Sequence, residues 1–186
     1  MKTAVFDLET FTLHADTGIL LCAVVHHYDS TEVPVILRAD EFRGWAKRRS
    51  NNKPICQALI RELRDYDIFI AHNGVRFDRA MLTSWALKYN LPLFLRFAKF
   101  IDPVMLCRKH LRLSRNSLAA VLDFLDVDEE KTEIKWEHWR RATYDGCKNS
   151  MDYIVEHCVA DVMALEAAHK KMRKLVKDIN ERGSAW

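Results

Sequence analysis

The sequence predicts an α/β domain with a mixed sheet. Three short runs rich in β-branched and aromatic residues open the chain, and from residue 40 onward helical periodicity alternates with further short apolar runs. That order is expected when helices cover a sheet that is partly antiparallel and partly parallel. Thr3–Leu8, Ile19–His27 and Val33–Leu37 read as strands of a sequential meander. Two helices follow, Asp40–Arg49 and Pro54–Asp65, the second with proline in its first turn, where a missing backbone donor costs nothing. Asp67–Ala71 is a short apolar strand, Phe77–Tyr89 a helix stopped by Asn90 and Pro92, and Lys99–Ile101 a fifth strand. Asp102 is a good cap for a helix starting at Pro103. Ser117–Leu125 and Trp136–Ala142 read as short helices, and Asn149–Ile179 as a long terminal one.

Composition bounds the class. A chain of 186 residues, 49% of them hydrophobic, suits one domain over residues 1–186 with a sizeable core. No run approaches the roughly 18 consecutive apolar residues of a membrane span, and Met1–Phe6 lacks the layout of a secretion signal. The expected location is the cytoplasm, for a bacterial or a virus-encoded protein alike. Cys22, Cys56, Cys107, Cys147 and Cys158 are odd in number and none pairs at zinc-finger spacing, so reduced thiols are expected. A net charge of +3 is modest, but its distribution is uneven. Arg43, Lys47, Arg48, Arg49 and Lys53 cluster around Trp45, and Arg108, Lys109, Arg112 and Arg115 form a second group. Each is either a phosphate-holding surface or a solvated face.

Three places carry acids where acids need a reason. Asp7 and Glu9 are two apart at the end of an apolar strand, so they share one face and repel unless a cation or a proton intervenes. The plain alternative is a pair of solvated acids at a strand end. Asp78 follows the glycine-containing turn His72–Phe77 and falls in the first turn of a helix, where capping is a rival explanation. Asp161 projects near the middle of the apolar stripe formed by Ile154, Cys158, Val162, Leu165, Ala168, Met172 and Val176, with His157 one turn earlier. An ionised Asp there requires a partner, whether backbone, arginine or metal. Asp102 as a fifth acid is explained by its cap, and Asp123, Asp126, Asp128, Glu129 and Glu130 by a solvated helix end. Lys131, Arg140 and Arg141 precede the terminal helix as candidate phosphate contacts.

Together these motifs resemble the DEDD superfamily of 3'→5' exonucleases, which includes the proofreading domains of DNA polymerases. Phe6-Asp7-Leu8-Glu9-Thr10 matches the first motif, Asn73 with Phe77-Asp78 the second, and His157 with Asp161 the third. The third motif has the spacing of the family's tyrosine branch and the residue of its histidine branch. Tyr153 is a weaker candidate for the same role. The resemblance implies a ribonuclease H-like mixed five-stranded sheet flanked by helices. It further implies two divalent ions, Mg²⁺ or Mn²⁺, held by Asp7, Glu9, Asp78 and Asp161, with His157 orienting or deprotonating the attacking water. Leu8, Thr10, Phe11, Asn73 and Phe77 are the implied contacts to the terminal nucleotide. The expected substrate is a nucleic-acid 3' end, single-stranded DNA first, with a polymerase or replication protein as partner in trans. An exoribonuclease on the same site, and a non-catalytic nucleic-acid-binding module, are the rival readings.

Overall fold

The computed structural model describes residues 1–93, 95, 98–128 and 135–176. Its sheet has five strands in the order β3-β2-β1-β4-β5. β1 (Thr3–Thr10), β2 (Leu20–His27) and β3 (Val35–Arg38) form an antiparallel meander, and β4 (Ile68–Ile70) and β5 (Lys99–Ile101) join parallel on the far side of β1. Residues Leu20 to His26 of β2 are all buried. A strand buried at every position is covered on both faces, which explains its continuous apolar run. Helix α1 (Lys53–Leu63) packs on β2, β3 and α2 (Asp78–Tyr89), and the long α6 (Lys148–Met172) packs on β1, β2 and β3. Short helices α3 (Pro103–His110), α4 (Leu118–Phe124) and α5 (Trp136–Arg140) fill the intervals, α4 and α5 lying against α6.

Across the parallel half of the sheet, Phe6 of β1, Phe69 of β4 and Phe100 of β5 meet edge-on or tilted, with ring centroids 5.4–6.2 Å apart. Edge-to-face packing of this kind adds about 0.5–1.5 kcal/mol per pair beyond burial. Trp85 of α2 is fully buried, and its Nε1 donates to the Ala15 carbonyl at 2.9 Å, fastening the loop between β1 and β2. No helix among the described residues is long and apolar enough to cross a membrane. All five cysteines are free thiols.

Local differences from the sequence reading have local causes. The helix expected over Asp40–Arg49 does not form; a single 3₁₀ turn at Ala39–Glu41 gives way to successive tight turns. Phe42 is extended (ψ 134°) and Gly44 is left-handed (φ +92°), which breaks any helical path. Phe42 and Trp45 mimic helical periodicity only because they are three apart. The third strand starts at Val35, after Pro34, rather than at Val33, since proline has no N–H to give a ladder. Strand β1 runs two residues past Leu8 to Thr10. The expected end of the terminal helix at Ile179, like Glu129, Glu130 and Lys131, lies outside the described residues.

Candidate active site

Asp7 and Glu9 stand half-buried on β1, flanked by the buried Phe6, Leu8 and Thr10. The β1–β2 register shifts between Glu9 and Thr10. Such an irregularity re-aims the side chains beside it and is common next to functional sites. Because β4 runs parallel to β1, with Val5 opposite Ile70, the chain leaves β4 at the same sheet edge that carries Asp7.

The turn from β4 to α2 is tightly specified. Asn73 is left-handed (φ 59°), and its carbonyl accepts from the Arg76 and Phe77 amides at 3.1 and 3.0 Å. A Cβ at Gly74 would sit 2.2 Å from Ala71 Cβ, so only glycine closes this turn. Asp102, buried at 1% exposure, caps α3 by accepting from Val104 N at 3.0 Å, and reaches across to accept from Asn73 N at 2.9 Å and Val75 N at 3.2 Å. Burial raises the Asp102 carboxyl above its ordinary range, with these amides opposing. The cap predicted from the sequence is therefore also the brace of the neighbouring turn.

That brace delivers Asp78, the first residue of α2, to a position only 1% exposed. Neither of its carboxylate oxygens makes a well-formed hydrogen bond among the described residues, although the backbone amides of Asp78 and Leu8 lie near enough to favour its charged form. Phe77, the residue before the helix, supplies no side-chain cap. Burial first, and then the nearby charge of Asp7, push its carboxyl well above the usual carboxylate range; Asp102 adds to the shift, and the backbone amides of Asp78 itself and of Leu8 oppose it. Asp78 and Asp7 thus face one another closely enough to repel.

The third segment arrives on α6. The Cys158 thiol points to Asp7, its Sγ 3.7 Å from the carbonyl and 3.6 Å from Oδ2. Asp161, half-buried, follows three residues later on the same helix face, and its Oδ2 is 3.5 Å from His157 Nε2. His157 itself is 7% exposed. Tyr153 instead stacks on His138, ring centroids 4.2 Å apart. Arg140 and Arg141 make local ion pairs, with Asp145 at 3.3 Å and Glu137 at 3.9 Å.

Beside the acids opens a cleft of about 400 Å³ lined by Leu8, Glu9, Thr10, Phe11, Leu13, Phe77, Trp136 and Trp139. Four of the five residues implied as nucleotide contacts line it; Asn73 does not, and its backbone builds the turn. Leu13, Trp136 and Trp139 escaped the sequence reading. The available signal was two tryptophans three apart in Trp136-Glu137-His138-Trp139, on a helix too short and too charged to bury both.

Among the described residues no three His, Cys, Asp or Glu side chains converge closely enough to enclose an ion unaided. The donor set instead fits Mg²⁺-type binding, in which one or two carboxylates share the ion with water and substrate phosphate. Asp78, with two buried oxygens that make no well-formed hydrogen bond and stand beside a second carboxylate, is the residue that most needs a cation.

A family model described as RNase H superfamily, RNase_H_2, matches residues 4–173. The chain belongs to the RNase H superfamily. The strand order and the parallel placement of β4 and β5 against the meander agree with that membership. No curated protein sequence matches this superfamily member. Among solved structures, the family B DNA polymerase of the hyperthermophilic archaeon Pyrobaculum calidifontis matches with a TM-score of 0.70 at 15% identity. The match covers 93% of this chain and 24% of the polymerase, so the RNase H-like chain spans about a quarter of that protein. In all, 254 solved chains match, a fold so widespread that the site rather than the fold must select the reaction. Superfamily membership supports a nuclease-type hydrolase acting on nucleic acid.

Proposed function

We propose that this chain is a divalent-metal-dependent 3'→5' exonuclease that removes nucleoside monophosphates from the end of a strand, single-stranded DNA foremost. The observation that carries the reading is Asp78: a buried carboxylate whose oxygens make no well-formed hydrogen bond, set against the charge of Asp7. Evolution of a solely structural acid offers no reason to leave such a group unsatisfied. Asp7, Glu9, Asp78 and Asp161 would hold two ions, Mg²⁺ or Mn²⁺. Bound there, such ions supply positive charge to the reacting phosphate and acidify water.

The chain's own residues do the rest. Leu8, Thr10, Phe11 and Phe77 seat the terminal nucleotide in the cleft, whose apolar walls accept any base by stacking and whose edge at Glu9 adjoins the acids. Water attacks the terminal phosphorus while the bond to the 3' oxygen of the preceding nucleotide breaks. The proton leaving that water passes to His157, held by Asp161, an imidazole being a competent base near neutral pH. The departing 3' oxygen takes a proton from solvent water, so the products are a nucleoside 5'-monophosphate and a strand one residue shorter with a free 3' hydroxyl.

A 3'-labelled single strand incubated with Mg²⁺ or Mn²⁺ tests this directly. The label should leave as mononucleotide, stop with chelator, and fall by roughly a thousandfold in Asp7→Ala, the equivalent of several kcal/mol of transition-state stabilisation. Internal cleavage, or full activity in Asp7→Ala, would overturn the proposal. Parallel RNA and DNA strands separate the exoribonuclease alternative, because only a contact to the 2' hydroxyl distinguishes them.

A further inference from the structure

We infer that a track for single-stranded nucleic acid leaves the cleft across Phe11, Trp136 and Tyr144 and continues onto the basic loop at residues 43–53. The inference rests on the exonuclease reading for which strand end is delivered, and adds where the upstream nucleotides lie.

Phe11 forms one wall of the cleft. On it stacks Trp136, ring centroids 5.0 Å apart and planes at 28°, and against its edge stands Tyr144 at 5.1 Å and 87°. Trp136 is 61% exposed and Tyr144 60%. Isolated exposed aromatics are ordinary, whereas aromatics joined into one surface beside a cleft indicate a partner with flat apolar faces.

Positive charge adjoins this surface and is fixed to it. Arg49 Nη1 donates to the Tyr144 carbonyl at 2.8 Å, and any Cβ at Gly146 would collide with Arg49 Nη2 at 2.6 Å, so glycine leaves the space the arginine occupies. Buried Asn52 then ties the basic loop to the loop carrying Phe11: its Oδ1 accepts from Leu20 N at 3.0 Å and its Nδ2 donates to the Gly18 carbonyl at 2.8 Å. Between the two loops runs an open groove of about 490 Å³ lined by Arg48, Lys88, Tyr89, Asn51 and Thr17, with Asp16 its one acid. Arg43, Lys47 and Arg48 are exposed.

Flat faces next to cations match one partner chemistry, unpaired bases on a phosphate backbone. An apolar peptide would not need the cations. A duplex would satisfy them while keeping its base faces covered, which leaves the aromatics without a function.

The test is binding of fluorescein-labelled dT10 by anisotropy in chelator, where no turnover occurs, at several salt concentrations. Trp136→Leu and Tyr144→Leu should each weaken binding about five- to a hundredfold, the range measured for one base stack. Trp136→Phe and Tyr144→Phe should restore most of it, because phenylalanine still stacks, and this separates recognition from folding. Lys47→Gln with Arg48→Gln should reduce the slope of log affinity against log salt by about 1.4, from roughly 0.7 per phosphate neutralised, as each frees its condensed counterion. A blunt hairpin of equal length should bind at least about tenfold more weakly than dT10. Leucine variants with unchanged affinity, or hairpin binding equal to that of dT10, would overturn the track. Normal dT10 binding without nucleotide release in Mg²⁺ or Mn²⁺ would instead overturn the exonuclease reading and leave the track standing.

Discussion

At the scale of single residues, Asp78 shows how a site can be recognised by an unmet need. Its carboxylate is buried, makes no well-formed hydrogen bond and is repelled by Asp7, so in the absence of cations its charge works against the fold. Asp78→Asn removes that charge while keeping the shape. Melting followed by circular dichroism at pH 8 in chelator should show the variant more stable, by at least about 2 °C, given roughly 2–4 °C per kcal/mol for a chain of this size. Mn²⁺ should raise the melting temperature of the wild type and leave Asp78→Asn nearly unmoved, since an ion that binds only the folded state stabilises it by an amount that grows with the logarithm of its concentration over Kd. Equal Mn²⁺ shifts in both proteins would remove Asp78 from the ion's coordination. His157 carries a kinetic counterpart. On the proposed role of His157 as proton acceptor, His157→Ala should lower kcat by about 10²–10⁴-fold with KM changed far less, because such a group acts in the transition state. If kcat holds, the role passes to another group. Much of this was visible in residue spacing: alternation put Asp7 and Glu9 on one strand face. Asp78 was not separable from a helix cap, because capping and burial produce the same sequence pattern and differ only in whether a hydrogen bond is made.

At the scale of elements, the turn between β4 and α2 is the part most dependent on a distant residue. Asp102 lies 29 residues beyond Asn73 in sequence, yet its carboxylate accepts from the amides of Asn73, Val75 and Val104. Asp102→Ala leaves three amides without an acceptor. With about 1–3 kcal/mol per unsatisfied buried group, partly relieved by water, the fold should lose roughly 2–4 kcal/mol, read by urea unfolding. Asp102→Asn keeps one acceptor oxygen and should lose less. Nuclease activity in Asp102→Ala should fall as well, through displacement of Asp78. A stable, fully active Asp102→Ala would show that Gly74 and Asn73 hold the turn unaided. The cap of α3 was legible from Asp102-Pro103, whereas its second duty was not, since reach across a sheet edge leaves no trace in local periodicity. The same reason hid Trp136 and Tyr144, whose partner Phe11 is 125 and 133 positions away in sequence. The failed helix at Asp40–Arg49 is the opposite case, a local signal from Phe42 and Trp45 overridden by the left-handed Gly44.

At the scale of the whole molecule, α6 spans the sheet, and two of the contacts that fasten it lie near its middle and toward its C-terminal end. One is the Cys158–Asp7 contact beside the acids; the other is a buried clasp at the far end of β2. There Glu166 lies 3.3 Å from His26 Nε2 and accepts from the Asp29 amide at 3.1 Å, Lys170 bridges Glu166 and Asp29 at 2.8 and 2.9 Å, and His169 Nδ1 meets the Tyr28 hydroxyl at 3.1 Å. His169 is 2% exposed, and burial, aided by the positive charge of Arg173, pushes its imidazole down from 6.5 to about 4. The unfolded chain therefore takes up this proton first as pH falls. The stability contributed by neutral His169 is complete above pH 6.5 and lost between pH 6.5 and about 4. A difference of roughly 2.5 pH units corresponds to about 3 kcal/mol, or a fall in melting temperature of roughly 6–12 °C. His169→Gln, which can still hydrogen-bond Tyr28 but does not titrate, should lack this component, so the two melting curves should converge as the pH is lowered from 7 to 4.5. The clasp is remote from the acids along α6, so nucleotide release at pH 7.5 should be the same in both proteins. Parallel curves across that interval would place the acid-sensitive group elsewhere in the fold.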